Sequence, residues 1–232
     1  MQKLLSFNKK VNTMIDFNAL IEKFLERDIQ EKKIGRYYPS EIGRCLRNLY
    51  YSYKYPVKVK PRLLKIFELG NIMHDFIVKV LKSNKNPEVE LLGYEIPIEL
   101  KFDDFVISGR IDDVIILKSE NKKILVEVKT CKDIRTVTKP HNSHMIQLQF
   151  YMHVTGIKEG ILLYVDKTTL DTKAFKLEYD EHWCNLIVER FKKLHECLVK
   201  DELPIPEAKI VEELRWMCNF CEYREKCEKN EK

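Results

Sequence analysis

Two hundred and thirty-two residues, 44% hydrophobic and 33% charged, fit one or two globular domains and exclude a disordered, collagen-like or coiled-coil chain. Lys plus Arg number 41 against 36 for Asp plus Glu, and the resulting charge of +5 admits a nucleic-acid partner without demanding one, because clustering decides. No apolar run nears the roughly 20 residues of a membrane span, and Met1 to Phe7 is too short an apolar start for a secretory signal, so a cytoplasmic, membrane-free location is expected.

The spacing of Phe17, Leu20, Ile21, Phe24, Leu25 and Ile29 predicts a helix over 15–31. Pro39-Ser40 reads as a helix start with Ser40 as N-cap, carrying Cys45 and the tyrosines up to Tyr55, with Pro56 and Pro61 ending it. A long helix follows from Arg62 to Lys82, with Leu64, Phe67, Ile77 and Leu81 inward, and then a turn at 84–87. Segments 89–100, 105–117 and 123–129 have strand length and composition. A helix over 143–155, strands near 160–166 and 172–178, and a helix over 181–200 complete the core. Pro204 and Pro206 close that helix before a cysteine-bearing tail. This order predicts an α/β (α+β) mixed sheet flanked by helices.

Ser108-Gly109-Arg110-Ile111-Asp112-Asp113 and Leu125-Val126-Glu127-Val128-Lys129 carry the most chemistry. A hairpin turning around Lys118 to Asn121 makes opposed residue numbers add up to 239, so Asp112 meets Glu127 across the strands and Lys129 shares their face. Asp113 then points to the other side. Paired carboxylates repel unless a cation sits between them, and an all-oxygen pair suits Mg²⁺ or Mn²⁺. A lysine beside such an ion suits metal-assisted phosphodiester hydrolysis, by positioning water and offsetting phosphate charge. The competing reading is a solvated surface hairpin, against which stands the apolar run Ile124 to Val128 around Glu127. On the upstream helix, His74 is either a further metal or phosphate ligand or a packed side chain. Gln147 and Tyr151, four apart on one helical face, contact a nucleotide or form a polar edge.

Of the seven cysteines, Cys218, Cys221 and Cys227 are spaced to share one metal centre, and Cys45, beside Arg44 and Arg47, is the best fourth ligand. Zinc and an iron–sulfur cluster both take four thiolates, so spacing leaves the two open. Cys131, Cys184 and Cys197 read as ordinary small apolar residues. Lys129, Lys132, Arg135 and Lys139, with Arg44 and Arg47, are placed to track phosphates. Tyr50, Tyr51, Tyr53 and Tyr55 either stack bases or pack inward, the packing reading being preferred.

Taken in order, Gly70-x₃-His74, Gly109-x-Ile-Asp112, Glu127-x-Lys129 and Gln147-x₃-Tyr151 resemble the RecB-like branch of the PD-(D/E)xK nucleases. With Cys45 and the Cys-x₂-Cys-x₅-Cys tail, the chain is similar over about 39–227 to the CRISPR-associated Cas-four exonucleases and their archaeal viral relatives. That resemblance implies a restriction-endonuclease-like core in a single nuclease domain. Its parts are an N-terminal helical region 1–61, a nuclease core 62–203 and a cluster-binding segment 204–232. It further implies that His74, Asp112, Glu127 and the Val128 carbonyl bind the divalent metal, that Lys129 assists the water, and that Gln147 and Tyr151 hold the DNA strand. Cys45, Cys218, Cys221 and Cys227 are then ligands of a [4Fe–4S] cluster. The implied activity is exonuclease cleavage, mainly of single-stranded DNA, alongside the Cas-one and Cas-two integration proteins in trimming spacer precursors. A homo-oligomer is compatible with it. A non-catalytic DNA-end-binding module on the same scaffold and a viral replication or repair nuclease stand as alternatives.

Overall fold

The computed structural model describes residues 14–229; Met1 to Phe7 lie outside them. Helix α1 (Phe17–Leu25) starts where the Asp16 carboxylate accepts the Asn18 and Ala19 N–H groups, which satisfies two free helical donors. It is shorter than the predicted 15–31, and of its apolar stripe only Leu25 is buried. The predicted helix from Pro39 is two pieces, a 3₁₀ turn at Pro39–Glu41 and helix α2 (Leu46–Lys54). Ser40 therefore lies inside the turn, and Cys45 occupies the position that opens α2. Helix α3 (Pro61–Leu81) begins at Pro61 instead of being preceded by it, in keeping with the missing N–H of proline being harmless in a first turn. Leu64, Ile77 and Val78 are its buried residues, whereas Phe67 is 47% exposed.

The remaining elements fall within about two residues of expectation. They are strands β2 (Val89–Lys101), β3 (Val106–Leu117), β4 (Lys122–Cys131), β5 (Glu159–Asp166) and β6 (Thr172–Glu178), with helices α4 (Asn142–Thr155) and α5 (Glu181–Lys200). A short strand β1 (Arg36–Tyr37) was not expected. The tail folds as α6 (Glu207–Ile210), a 3₁₀ segment (Glu212–Phe220) and α7 (Arg224–Lys229).

The sheet is mixed, in the order β1-β3-β4-β5-β6 with β2 on the second edge of β3. The β3–β4 hairpin has the predicted register: Asp113 opposes Val126 and Leu117 opposes Lys122. Asn121, at φ +51°, supplies the left-handed residue of that turn, a conformation Asn tolerates better than most. The larger core fills the face covered by α2, α4 and α5, with Leu125, Leu148, Phe150, Leu162, Ile187 and Phe191 inside. A smaller core on the opposite face joins Ile77 of α3 to Ile115, Ile124, Val126, Val128 and Val165. The result is an α/β/α stack.

One irregularity of this sheet prepares the site. Along one edge β3 is paired with β2 from end to end. Along its other edge it pairs with β1 only at Val106 and Ile107, and with β4 only from Asp113 onward. Between them, residues 108–112 have no strand neighbour on that edge, and β4 beyond Val126 continues with β5 alone. The chain thus builds a notch. Ile111 and Val114, three apart, both enter the larger core, so the pleat is broken at Asp112 and Asp113.

Candidate active site

The notch gathers the predicted acids. Freed from the ladder, the Val128 N–H donates to Asp112 Oδ2 at 2.8 Å. Asp112 and Glu127 therefore flank the point where β3 and β4 part, one residue past the last recorded pair of the predicted register. Glu127 is 1% exposed, and its Oε1 lies 2.6 Å from Lys129 Nζ. Lys129 in turn donates to Gln147 Oε1 at 3.2 Å, and the Gln147 amide donates to Tyr151 Oη at 3.0 Å. The four-residue spacing on α4 places these two on one buried face, as expected.

Gly109 explains its own identity. A Cβ built there would lie 2.8 Å from Tyr151 Cε1 and 3.0 Å from Tyr151 Oη, so only glycine lets the ring close over β3.

His74 reaches the notch from α3, and its nearest carboxylate is not the expected one. Its Nε2 lies 3.3 Å from Oδ2 of Asp113, which is 0% exposed. That separation is an ion-pair distance without the alignment of a hydrogen bond. Asp113 does point away from Glu127, as the register requires, but it is buried against α3 and not idle. The signal in the sequence was the Asp-Asp doublet inside an apolar strand, where each acid needs a separate reason to be present.

The electrostatics follow from burial. Loss of solvent raises the Asp112 carboxyl above its usual range, opposed by Lys129 and the Val128 N–H. Burial likewise pushes Glu127 up to about 7, with Lys129 opposing and Asp112 reinforcing. Burial pulls the Lys129 ammonium down, yet Glu127 and Asp112 outweigh it and leave Lys129 above its ordinary value. The Asp113 side chain raises His74 to about 9 against the opposing effect of burial, with Asp112 and Glu95 reinforcing it.

Several buried polar atoms here have no hydrogen-bond partner: His74 Nε2, both oxygens of Asp113, and Glu127 Oε2. Uncompensated buried carboxylate oxygens are costly, and hard oxygen donors of this kind match Mg²⁺ or Mn²⁺. The donor set therefore fits a divalent cation. Among the described residues, no three His, Cys, Asp or Glu side chains are already gathered tightly enough to hold an ion.

A second constellation forms behind α2. The Cys218 thiol is raised first by burial and then by Cys221, Cys45 and Cys227, which lie in its neighbourhood without being gathered tightly enough to hold an ion as they stand. Asn48 Nδ2 donates to Cys221 Sγ at 3.3 Å, and Arg47 Nη1 to Cys227 Sγ at 3.7 Å. Donors aimed at sulfur suit metal-bound thiolates. Arg47 is buried and also donates to the Pro204 carbonyl at 2.6 Å, so it braces the tail instead of tracking phosphate. Tyr50, Tyr51 and Tyr53 are buried and only Tyr55 is exposed; Tyr51 packs on Tyr223 at 5.6 Å, so the run packs inward. Lys132, Arg135 and Lys139 are exposed beyond the end of β4, although Arg135 pairs with Asp133.

The family model described as the PD-(D/E)XK nuclease superfamily matches residues 73–228, and the chain belongs to that superfamily. Within it, the chain is 30% identical over 148 residues to the CRISPR-associated exonuclease Cas4 of Saccharolobus solfataricus P2, covering 63% of this chain and 71% of that one. This places it with the Cas4-type exonucleases. The crystal structure of SSO0001 has the same fold, with a TM-score of 0.58 at 21% identity, over 90% of this chain and 94% of the other. The protein is thus a nuclease by family. Among the described residues no helix is long and apolar enough to cross a membrane.

Proposed function

We propose that this chain is a divalent-metal-dependent DNA exonuclease preferring single strands, with a [4Fe–4S] cluster as a structural brace. The observation that carries the reading is the buried, unpartnered Glu127 Oε2, held beside Lys129 and Asp112 in the notch of the sheet. Asp112, Glu127 and His74, with the Val128 carbonyl, would hold Mg²⁺ or Mn²⁺. Such an ion, when bound, supplies Lewis acidity toward the phosphate and lowers the pKa of water.

The chain's own groups do the rest. Lys129, protonated and steadied by Gln147, orients the attacking water and offsets charge building on the phosphate. Tyr151 and Gln147 wall the notch and hold the strand beside it. The exposed Lys132 and Lys139 are placed to follow the backbone of the DNA. Cys45, Cys218, Cys221 and Cys227 would hold the cluster, joining α2 to the tail. The relative's role as a CRISPR-associated exonuclease supports spacer-precursor trimming with the Cas-one and Cas-two integration proteins as the cellular setting.

Replacing Asp112 or Glu127 with Ala is expected to lower Mn²⁺-dependent degradation of single-stranded DNA by about 10²-fold or more, with circular dichroism unchanged. Full activity in either variant refutes the assignment of these ligands. Tight DNA binding by the wild-type chain, with no metal-stimulated cleavage, would instead make it an end-binding module.

A further inference from the structure

Asp113 has no place in the reaction just described, yet it is the most completely buried acid of the notch. Both its oxygens lack a hydrogen bond, and so does His74 Nε2, 3.3 Å away. An isolated buried carboxylate is expensive, so a strand that places one there must use it. Its side is set by the register. Asp113 opposes Val126, whose side chain joins the smaller core with Ile77 of α3, while Glu127 and Lys129 face Gln147 of α4. Asp113 thus meets the layer that brings His74 and not the layer that holds Glu127.

We propose, building on the metal-dependent reading above, that Asp113 is a positioning residue for His74. Its carboxylate would accept a hydrogen bond from the imidazole Nε2–H and fix the ring, so that Nδ1 would be the nitrogen left free for the cation. Ring nitrogens that bind metals are commonly oriented by a carboxylate on the other nitrogen, which also makes the ligating nitrogen more basic. The neighbouring Asp112 is left to serve as the oxygen ligand, its Oδ2 steered by the Val128 N–H. The two adjacent acids then divide the work, one facing the cation and one facing the histidine.

The test is a double-mutant cycle on Mn²⁺ affinity, read from the electron paramagnetic resonance signal of free Mn²⁺ titrated into the full chain. Asp113→Asn is expected to weaken Mn²⁺ binding about 10–100-fold, the usual consequence of losing a partner behind a metal-bound histidine. In a His74→Ala background the same change should alter affinity by less than about twofold, because the two residues act as one unit. Wild-type affinity in Asp113→Asn overturns the proposal, as does a double variant whose losses multiply. A loss as complete as that of Asp112→Ala also overturns it, by making Asp113 a ligand itself. Should Asp113→Asn not fold, Asp113→Ser is read through the same cycle. Asp112→Ala and Glu127→Ala are assayed alongside for cleavage. Cleavage retained there defeats the parent reading, whereas cleavage lost there with normal Mn²⁺ affinity in Asp113→Asn defeats only the role given to Asp113.

Discussion

At Gly109 a single hydrogen atom decides whether Tyr151 can lie across β3. Gly109→Ala puts a methyl group 2.8 Å from that ring and 3.3 Å from Pro39 Cγ, and neither neighbour sits in open space. The expected outcome is a destabilisation of about 1–3 kcal/mol, typical of overpacking, measured by denaturant unfolding. Cleavage should fall further than stability, because the displaced ring takes Gln147, and through it Lys129, out of line. Normal cleavage in a folded Gly109→Ala protein would mean that this chain of contacts does not govern Lys129. At the same scale, Asp112, Glu127, Lys129, Gln147 and Tyr151 were each legible from spacing. For Asp113 the acidic doublet was a signal, but its partner was not legible, because that side chain lies 39 positions away on another element.

Between elements, the contact most open to a pH test joins α5, α6 and the start of α2. Arg190 grips both oxygens of Glu207 at 2.7 Å, and the Leu46 N–H donates to Glu207 Oε2 at 2.8 Å. Burial works against ionising Glu207, but Arg190 and the Leu46 N–H outweigh it and hold the carboxyl below its ordinary value. A lowered folded-state pKa means the unfolded chain binds a proton more readily. The pair's contribution is therefore complete above the ordinary carboxylate value of about 4.5 and is lost as pH falls below it. Glu207→Gln should cost about 1–3 kcal/mol at neutral pH and reduce the fall in melting temperature between neutral and acidic buffer. A variant whose melting temperature falls as steeply with acid as the wild type would remove Glu207 from that account. Element boundaries from β2 to α5 were readable because hydrophobic period and end signals are local. The break after Glu41 was not, since the turn at Pro39–Glu41 is held from outside, by Lys32 on Glu41 and by Tyr53 on the Arg36 carbonyl.

Across the whole molecule, the proposed cluster on Cys45, Cys218, Cys221 and Cys227 would tie residue 45 to residues 218–227 and close most of the chain into one loop. Removing a bound metal centre that closes such a loop should lower stability throughout and not only in the tail. Cys45→Ser is expected to bleach the broad absorption near ~400 nm that accompanies thiolate-bound iron–sulfur clusters, and to lower the melting temperature of the nuclease core together with that of the tail. A colourless wild-type protein holding one zinc would replace the cluster with a zinc centre while leaving the ligands as they stand.

What the sequence by itself determined was the set of elements, the hairpin register and the superfamily motifs. All of these rest on periodicity and spacing along one stretch of chain. Only the tertiary structure decided that the edge of β3 away from β2 has no strand neighbour over residues 108–112, that Asp113 lies against His74, and that Arg47 faces sulfur and not phosphate. Those facts depend on which distant segment borders an edge or a face. No local period encodes such a neighbour, because it is selected by the packing of the other elements.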